Sequence, residues 1–244
     1  MKHRSERSWR TVPGPILATL ATAFVLQIAW HAMQPHPQAR AEDLTPPPPA
    51  LALHAASFGD PIFLAYALLL RLQAFDNQPG ISIPFNELDY QKVISWLNVL
   101  LELDPRSQYP LLLASTVYAQ VPDDARKRLM LDFVYQKFTE DPLHRWPWLA
   151  HAAVMAKHRL GELPLALKYA QAIADHANDP SVPAWARQMH IFLREDMGEH
   201  EAAKLLLGGL LASGSVQDPH ETAFLIQRLE AIEKAEKSAV TPRN

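Results

Sequence analysis

An Asp-Pro pair closes the apolar run "LLELDP", Leu100 to Pro105, and returns at Asp141-Pro142, Asp179-Pro180 and Asp218-Pro219, at intervals of 37, 38 and 39 residues. Proline cannot continue the helix before it, and aspartate can satisfy free amides as the next helix begins. Between these marks, apolar residues run at helical spacing in blocks of about 15, bounded by Pro, Gly, Asn and Asp. A mark at near-constant interval predicts tandem helical hairpins, each burying its remaining face against the next.

Other positions keep the same register. Pro110, Pro147 and Pro183 each follow an Asp-Pro by a few residues and are expected in the first turn of a helix, where the missing amide costs nothing. Trp148 and Trp185, Gly161 and Gly198, Glu162 and Glu199, and Ala166 and Ala203 are each separated by 37 residues. The physical reading is a helix, a tight turn at the Gly-Glu step, and a second helix whose Ala lets two backbones approach closely.

These residues carry a resemblance to the tetratricopeptide repeat family. "LLELDP" looks like the end of such a repeat's second helix, while "RLGELPLALKYAQAI" from Arg159 and "DMGEHEAAKLLLGGL" from Asp196 look like its Gly, Ala and apolar positions. The likeness covers roughly residues 60 to 219. It departs from the family in its longer period, against about 34, and at Val154 and Ile191, where a glycine is usual. The resemblance implies an all-α, right-handed solenoid of about four hairpins. These run from Pro61 to Leu103 across the turn "DNQPGISIPFNEL", from Ser107 to Phe138 across "VPDD", from Pro147 to Ala177, and from Pro183 to Ala212. A closing helix, "ETAFLIQRLEAIEKAEKS", would cap the stack, since it sheds its apolar residues after Ile232.

Composition agrees with helix and narrows the function. The 244 residues are 48% hydrophobic and 20% charged, with only 8 glycines and almost no strand-like alternation. A formal charge of −3 supplies no broad basic face for nucleic acid. There is no cysteine, hence no disulfide, lipoprotein attachment or thiol chemistry.

The N-terminus is organised differently. Lys2, Arg4, Arg7 and Arg10 precede "PILATLATAFVLQIAWHAM", Pro15 to Met33, which has no Asp, Glu, Lys or Arg. Ile16 to Met33 would span about 27 Å as a helix, close to the bilayer's hydrocarbon thickness. The basic flank predicts a cytoplasmic N-terminus and an exported remainder. The division expected is a basic tail at 1–12, an anchor at 13–33, a Pro-rich linker at 34–58, the repeat domain at 59–238 and a frayed tail at 239–244. The small-x-small triplet at Ala39 to Ala41 leaves a cleaved signal peptide as the rival reading. A core helix is the third, weakened because the apolar residues cover every face.

Catalytic patterns are weak. None of the 11 histidines has a partner four residues away on a helix; "HEAAK" and "HETAF" place Lys204 and Phe224 where a zinc site needs its second histidine. His144, His151 and His158 share a face but stand about 10.5 Å apart per step. Gly208-Gly209 lacks the lysine and hydroxyl of a phosphate loop, and Ser213-Gly214-Ser215 has no strand before it. Asp123-Asp124 and Glu195-Asp196 fall at expected helix ends, where capping explains them.

If the family register applies, the first helices line a concave groove. Trp148, His151, Met155, His158 and Arg159 would continue as Trp185, Gln188, Phe192 and Glu195 in the next unit. Aromatic, Met and mixed charged groups suit a protein or peptide partner, although aromatics at this spacing also fill cores. The expectation is a membrane-anchored, non-catalytic scaffold of a bacterial envelope, its repeat domain periplasmic, with no cofactor, metal, nucleic acid or small-molecule substrate. A soluble adaptor cleaved free of the anchor is the alternative, and an enzyme with a site between helices the more distant one.

Overall fold

The computed structural model describes residues 13–34, 41–214, 216 and 218–240. Lys2, Arg4, Arg7 and Arg10, most of the Ala39 to Ala41 triplet, and the tail beyond Val240 lie outside the described residues. The chain is all-helical apart from a two-stranded ribbon, β1 (Asn77–Gln78) and β2 (Ile81–Ser82). It divides into two compact units, residues 1–41 with 78–81, and residues 42–77 with 82–244.

The first unit contains α1 (Gly14–Met33), opened by Pro15 in its first turn and exposed along its whole length. Leu20, Phe24, Leu26, Ile28 and Trp30 all face outward. Its apolar residues form no single stripe, and it is long and apolar enough to cross a membrane.

The second unit holds α2 (Ala50–Ala56), α3 (Pro61–Gln73), α4 (Tyr90–Leu103), the short α5 (Tyr109–Leu112), α6 (Asp124–Glu140), α7 (Pro142–Met155), α8 (Leu163–His176), α9 (Ala184–Asp196), α10 (His200–Ala212) and α11 (Pro219–Val240). Helix α3 packs on α4, and from α7 to α11 each helix packs on its predecessor. One core cluster runs from Leu44 to Leu193, with Phe138, Leu149, Tyr169 and Ile173 fully enclosed. A second, separate cluster joins Ile191, Ala203, Leu207, Leu225 and Ile232.

The Asp-Pro marks work in two ways. Asp60-Pro61, Asp141-Pro142 and Asp218-Pro219 open helices directly; the Asp60 carboxylate accepts from the Phe63 amide at 2.9 Å and Asp218 from the His220 amide at 2.9 Å. Asp104 and Asp179 instead hold a turn, accepting from the Arg106 and Ser181 amides, and a helix follows several residues later. That difference corrects the expectation for Pro147. Because α7 already begins at Pro142, Pro147 lies inside the helix rather than in its first turn. It withholds a donor from the Leu143 carbonyl, on an exposed turn.

Two more expectations are revised. The end of the Pro-rich linker belongs to the packed unit: Leu44 is buried, the Trp96 indole donates to the Thr45 carbonyl at 2.7 Å, and residues 50–56 are helical. The closing helix continues to Val240, through the start of the expected frayed tail. The first helix of the second hairpin is short, passing from α5 into a π turn at Leu113–Val117 and a 3₁₀ turn at Tyr118–Gln120.

At the Gly-Glu steps, Gly161 (φ +69°) and Gly198 (φ +78°) both adopt the left-handed conformation. Neither would bring a Cβ within 4 Å of another atom, so backbone angle and not crowding requires glycine. Gly161→Ala is expected to cost about 1–2 kcal/mol. Gly208→Ala, inside α10 with open space around its Cβ, should instead gain about 0.5–1 kcal/mol. Thermal melts of the two variants check the opposite signs.

Candidate functional site

Side chains join successive helical pairs at a spacing close to the sequence period. The Trp148 indole donates to Gln108 Oε1, Tyr169 Oη donates to Asp132 Oδ1 at 3.0 Å, and Gln188 Nε2 donates to Glu221 Oε1 at 2.6 Å. Ion pairs link Arg128 with Glu162, Lys157 with Asp196, and Arg228 with Glu195. Partners in these six contacts lie between 33 and 40 residues apart. Aromatic pairs follow the same pattern, with Trp146 edge-to-face on Trp185 at 5.7 Å and Phe192 tilted on Phe224 at 5.9 Å.

This pattern sorts the residues named from sequence. Ala166 and Ala203 are fully buried. Met155 and Gln188 are mostly enclosed, at 6% and 8% exposure, so each can offer only a small surface at the bottom of a groove. Trp148 and Phe192 are half-buried between helices. His151 is half-buried too; its Nε2 is buried without a partner among the described residues, and desolvation pushes its pKa down. The accessible members are His158, Arg159 and Trp185, the last 56% exposed.

His158 and Arg159 rim an open groove of about 390 Å³, floored by Met155 and closed opposite by Ala119, Gln120, Val121, Pro122 and Lys127. The side chains of His158 and Arg159 make no hydrogen bond or ion pair among the described residues, whereas Lys127 Nζ is held by Asp124 Oδ1 at 2.7 Å. The groove is therefore cationic on one rim and apolar in its floor. The residues opposite come from the 3₁₀ turn at Tyr118–Gln120, the start of the "VPDD" turn and the first turn of α6, which a search along one helix face could not associate with α7. Their only sequence cue is the proline turn itself.

A second open groove, of about 280 Å³, is lined by Asn178, Arg187, Gln188, His190 and apolar residues of α9 and α10. Burial pushes His190 below the usual histidine range. Trp185, on the same helix as Gln188, is not part of either lining. The named face is thus divided among two grooves and a set of interhelical contacts.

Among the described residues no three of His, Asp and Glu gather as a metal site. His200 and His220 lie in the first turns of α10 and α11, with Lys204 and Phe224 four residues on. Comparison with protein-family models, curated proteins and solved structures gives no match for this chain.

Proposed function

We propose that this chain is a membrane-anchored, non-catalytic scaffold whose helices pair as tetratricopeptide-like hairpins in a right-handed solenoid and receive a protein or peptide partner. Helix α1 crosses a bacterial inner membrane once, with the basic N-terminus in the cytoplasm and α2 to α11 in the periplasm. The partner docks across the groove rimmed by His158 and Arg159 and reaches exposed Trp185. The observation that carries this reading is the set of interhelical contacts recurring at about one repeat, which does not engage the His158 and Arg159 side chains and leaves Trp185, edge-on to Trp146, 56% exposed. A mixed ligand suits that rim, since its acidic groups meet Arg159 and its apolar groups meet Met155.

A photo-crosslinking residue placed at Arg159 or Trp185 of the full chain, in cells, should yield the same discrete adduct. The same residue at exposed Glu230 of α11 should not. Equal adducts at all three positions, or none at the first two, would remove the docking face from the account. A periplasmic reporter fused after Asp60 should be active in a bacterial host; activity of a cytoplasm-only reporter there would reverse the topology.

A further inference from the structure

A helix with one buried side normally turns polar residues outward. Helix α3 does not. Ala65, Leu69 and Leu72 face inward, yet the opposite side is Ile62, Phe63, Tyr66, Ala67 and Leu70, exposed by 50% at Ile62, 71% at Phe63 and 64% at Leu70. Phe58, just before it, is 96% exposed in the left-handed conformation (φ +47°), unusual for a bulky residue. From Ala50 to Leu70 the only Asp, Glu, Lys or Arg is Asp60, whose carboxylate is occupied capping α3. At the other end of the unit, α11 exposes Arg228, Glu230, Glu233 and Lys234.

We propose that the α2–α3 corner lies on a lipid bilayer, its Phe58, Ile62, Phe63, Tyr66 and Leu70 side chains immersed at the boundary of headgroups and acyl chains. This rests on reading α1 as a membrane span. Leu44 is buried with Leu72 of α3, and Thr45 is held by Trp96, so only residues 34–43, ten in all, separate Met33 from a point fixed on this unit; at no more than about 3.6 Å each, the chain can reach at most about 40 Å. The corner is thus held within a short distance of the membrane surface, where even a modest apolar contact is favoured by its high local concentration. A patch whose one carboxylate, Asp60, is engaged in capping α3 offers a protein partner little steering, but aromatic and aliphatic groups suit an interface of this kind. The corner does not add a second crossing. Helices α2 and α3 bend by 108° at their junction, and the inner side of α3 is committed to packing on α4.

The absence of native cysteine makes a direct test available. Single variants Phe63→Cys, Tyr66→Cys, Leu20→Cys and Glu201→Cys of the full chain carry an environment-sensitive fluorophore and are reconstituted in phosphatidylcholine–phosphatidylglycerol vesicles. Circular dichroism matching the parent chain establishes folding. Emission at positions 63 and 66 should shift to the blue, be quenched by nitroxide-labelled lipid and lose quenching by aqueous iodide, as at position 20; position 201 should behave oppositely. If 63 and 66 respond like 201 while 20 remains quenched by lipid, the surface contact is overturned and the span stands. Protection of 63 and 66 from both quenchers, growing with the ratio of protein to lipid, would assign the patch to a second copy and overturn the proposal. Iodide quenching at position 20 would overturn both the contact and the span.

Discussion

Replacing Arg145 by methionine is expected to lower stability by about 2–3 kcal/mol. Arg145 is 5% exposed, the one buried charged side chain among the described residues. Its guanidinium donates from Nη1 to the Lys137 carbonyl at 2.7 Å and to Glu140 Oε2 at 2.8 Å, and from Nη2 to the Pro105 carbonyl at 3.2 Å. The first two contacts finish the last turn of α6, whose carbonyls lack helical donors. The third ties that turn to the preceding Asp-Pro. Methionine keeps the apolar stem and removes every donor, so two part-buried carbonyls and the Glu140 carboxylate lose their partner while packing is nearly retained. A lower urea midpoint at unchanged slope checks the expectation; an unchanged midpoint would mean these carbonyls are not sealed from water.

Ala166→Trp and Ala203→Trp are each expected to cost about 1–3 kcal/mol by overpacking. Both alanines have no exposed surface, one on α8 and the other on α10. Ala125→Trp, at an exposed position of α6, should remain within about 0.5 kcal/mol of the parent. Equal melting temperatures for the three variants would contradict the packing assigned to the two alanines.

Much of the helical order is legible in the sequence because its punctuation is local. Proline and glycine act through their own backbone angles, so the turns at Gly161 and Gly198 and the start of α9 after Pro183 are legible, whereas α7 begins at Pro142 and not at the expected Pro147. Pro147 was placed wrongly for a related reason: two prolines five residues apart can both be helical when the first starts the helix. Helix α1 is equally legible, since an uncharged apolar run of its length is a property of composition.

The remainder depends on what arrives from elsewhere in the chain. Nothing around Thr45 indicates that the indole of Trp96, 51 residues away, will take its carbonyl. A proline-rich segment lacks regular bonding of its own but keeps its acceptors. Met155 and Gln188 share helix faces with exposed residues, and only the approach of neighbouring helices encloses them. Arg145 reads as a surface cation in sequence because its three acceptors come from two separate helix ends. The groove beside His158 is divided between α7 and the segment around the "VPDD" turn, so its lining follows no single period.

In the proposed solenoid each hairpin holds mainly to its neighbours, so stability is local in a way that a single shared core is not. Ala203 belongs to the cluster with Leu207, Leu225 and Ile232, separate from the larger core. Native-state hydrogen exchange on full-length Ala203→Trp tests this directly. The account predicts faster exchange across α10 and α11 with protection of α4 and α6 unchanged; uniform acceleration from α4 to α11 would contradict it.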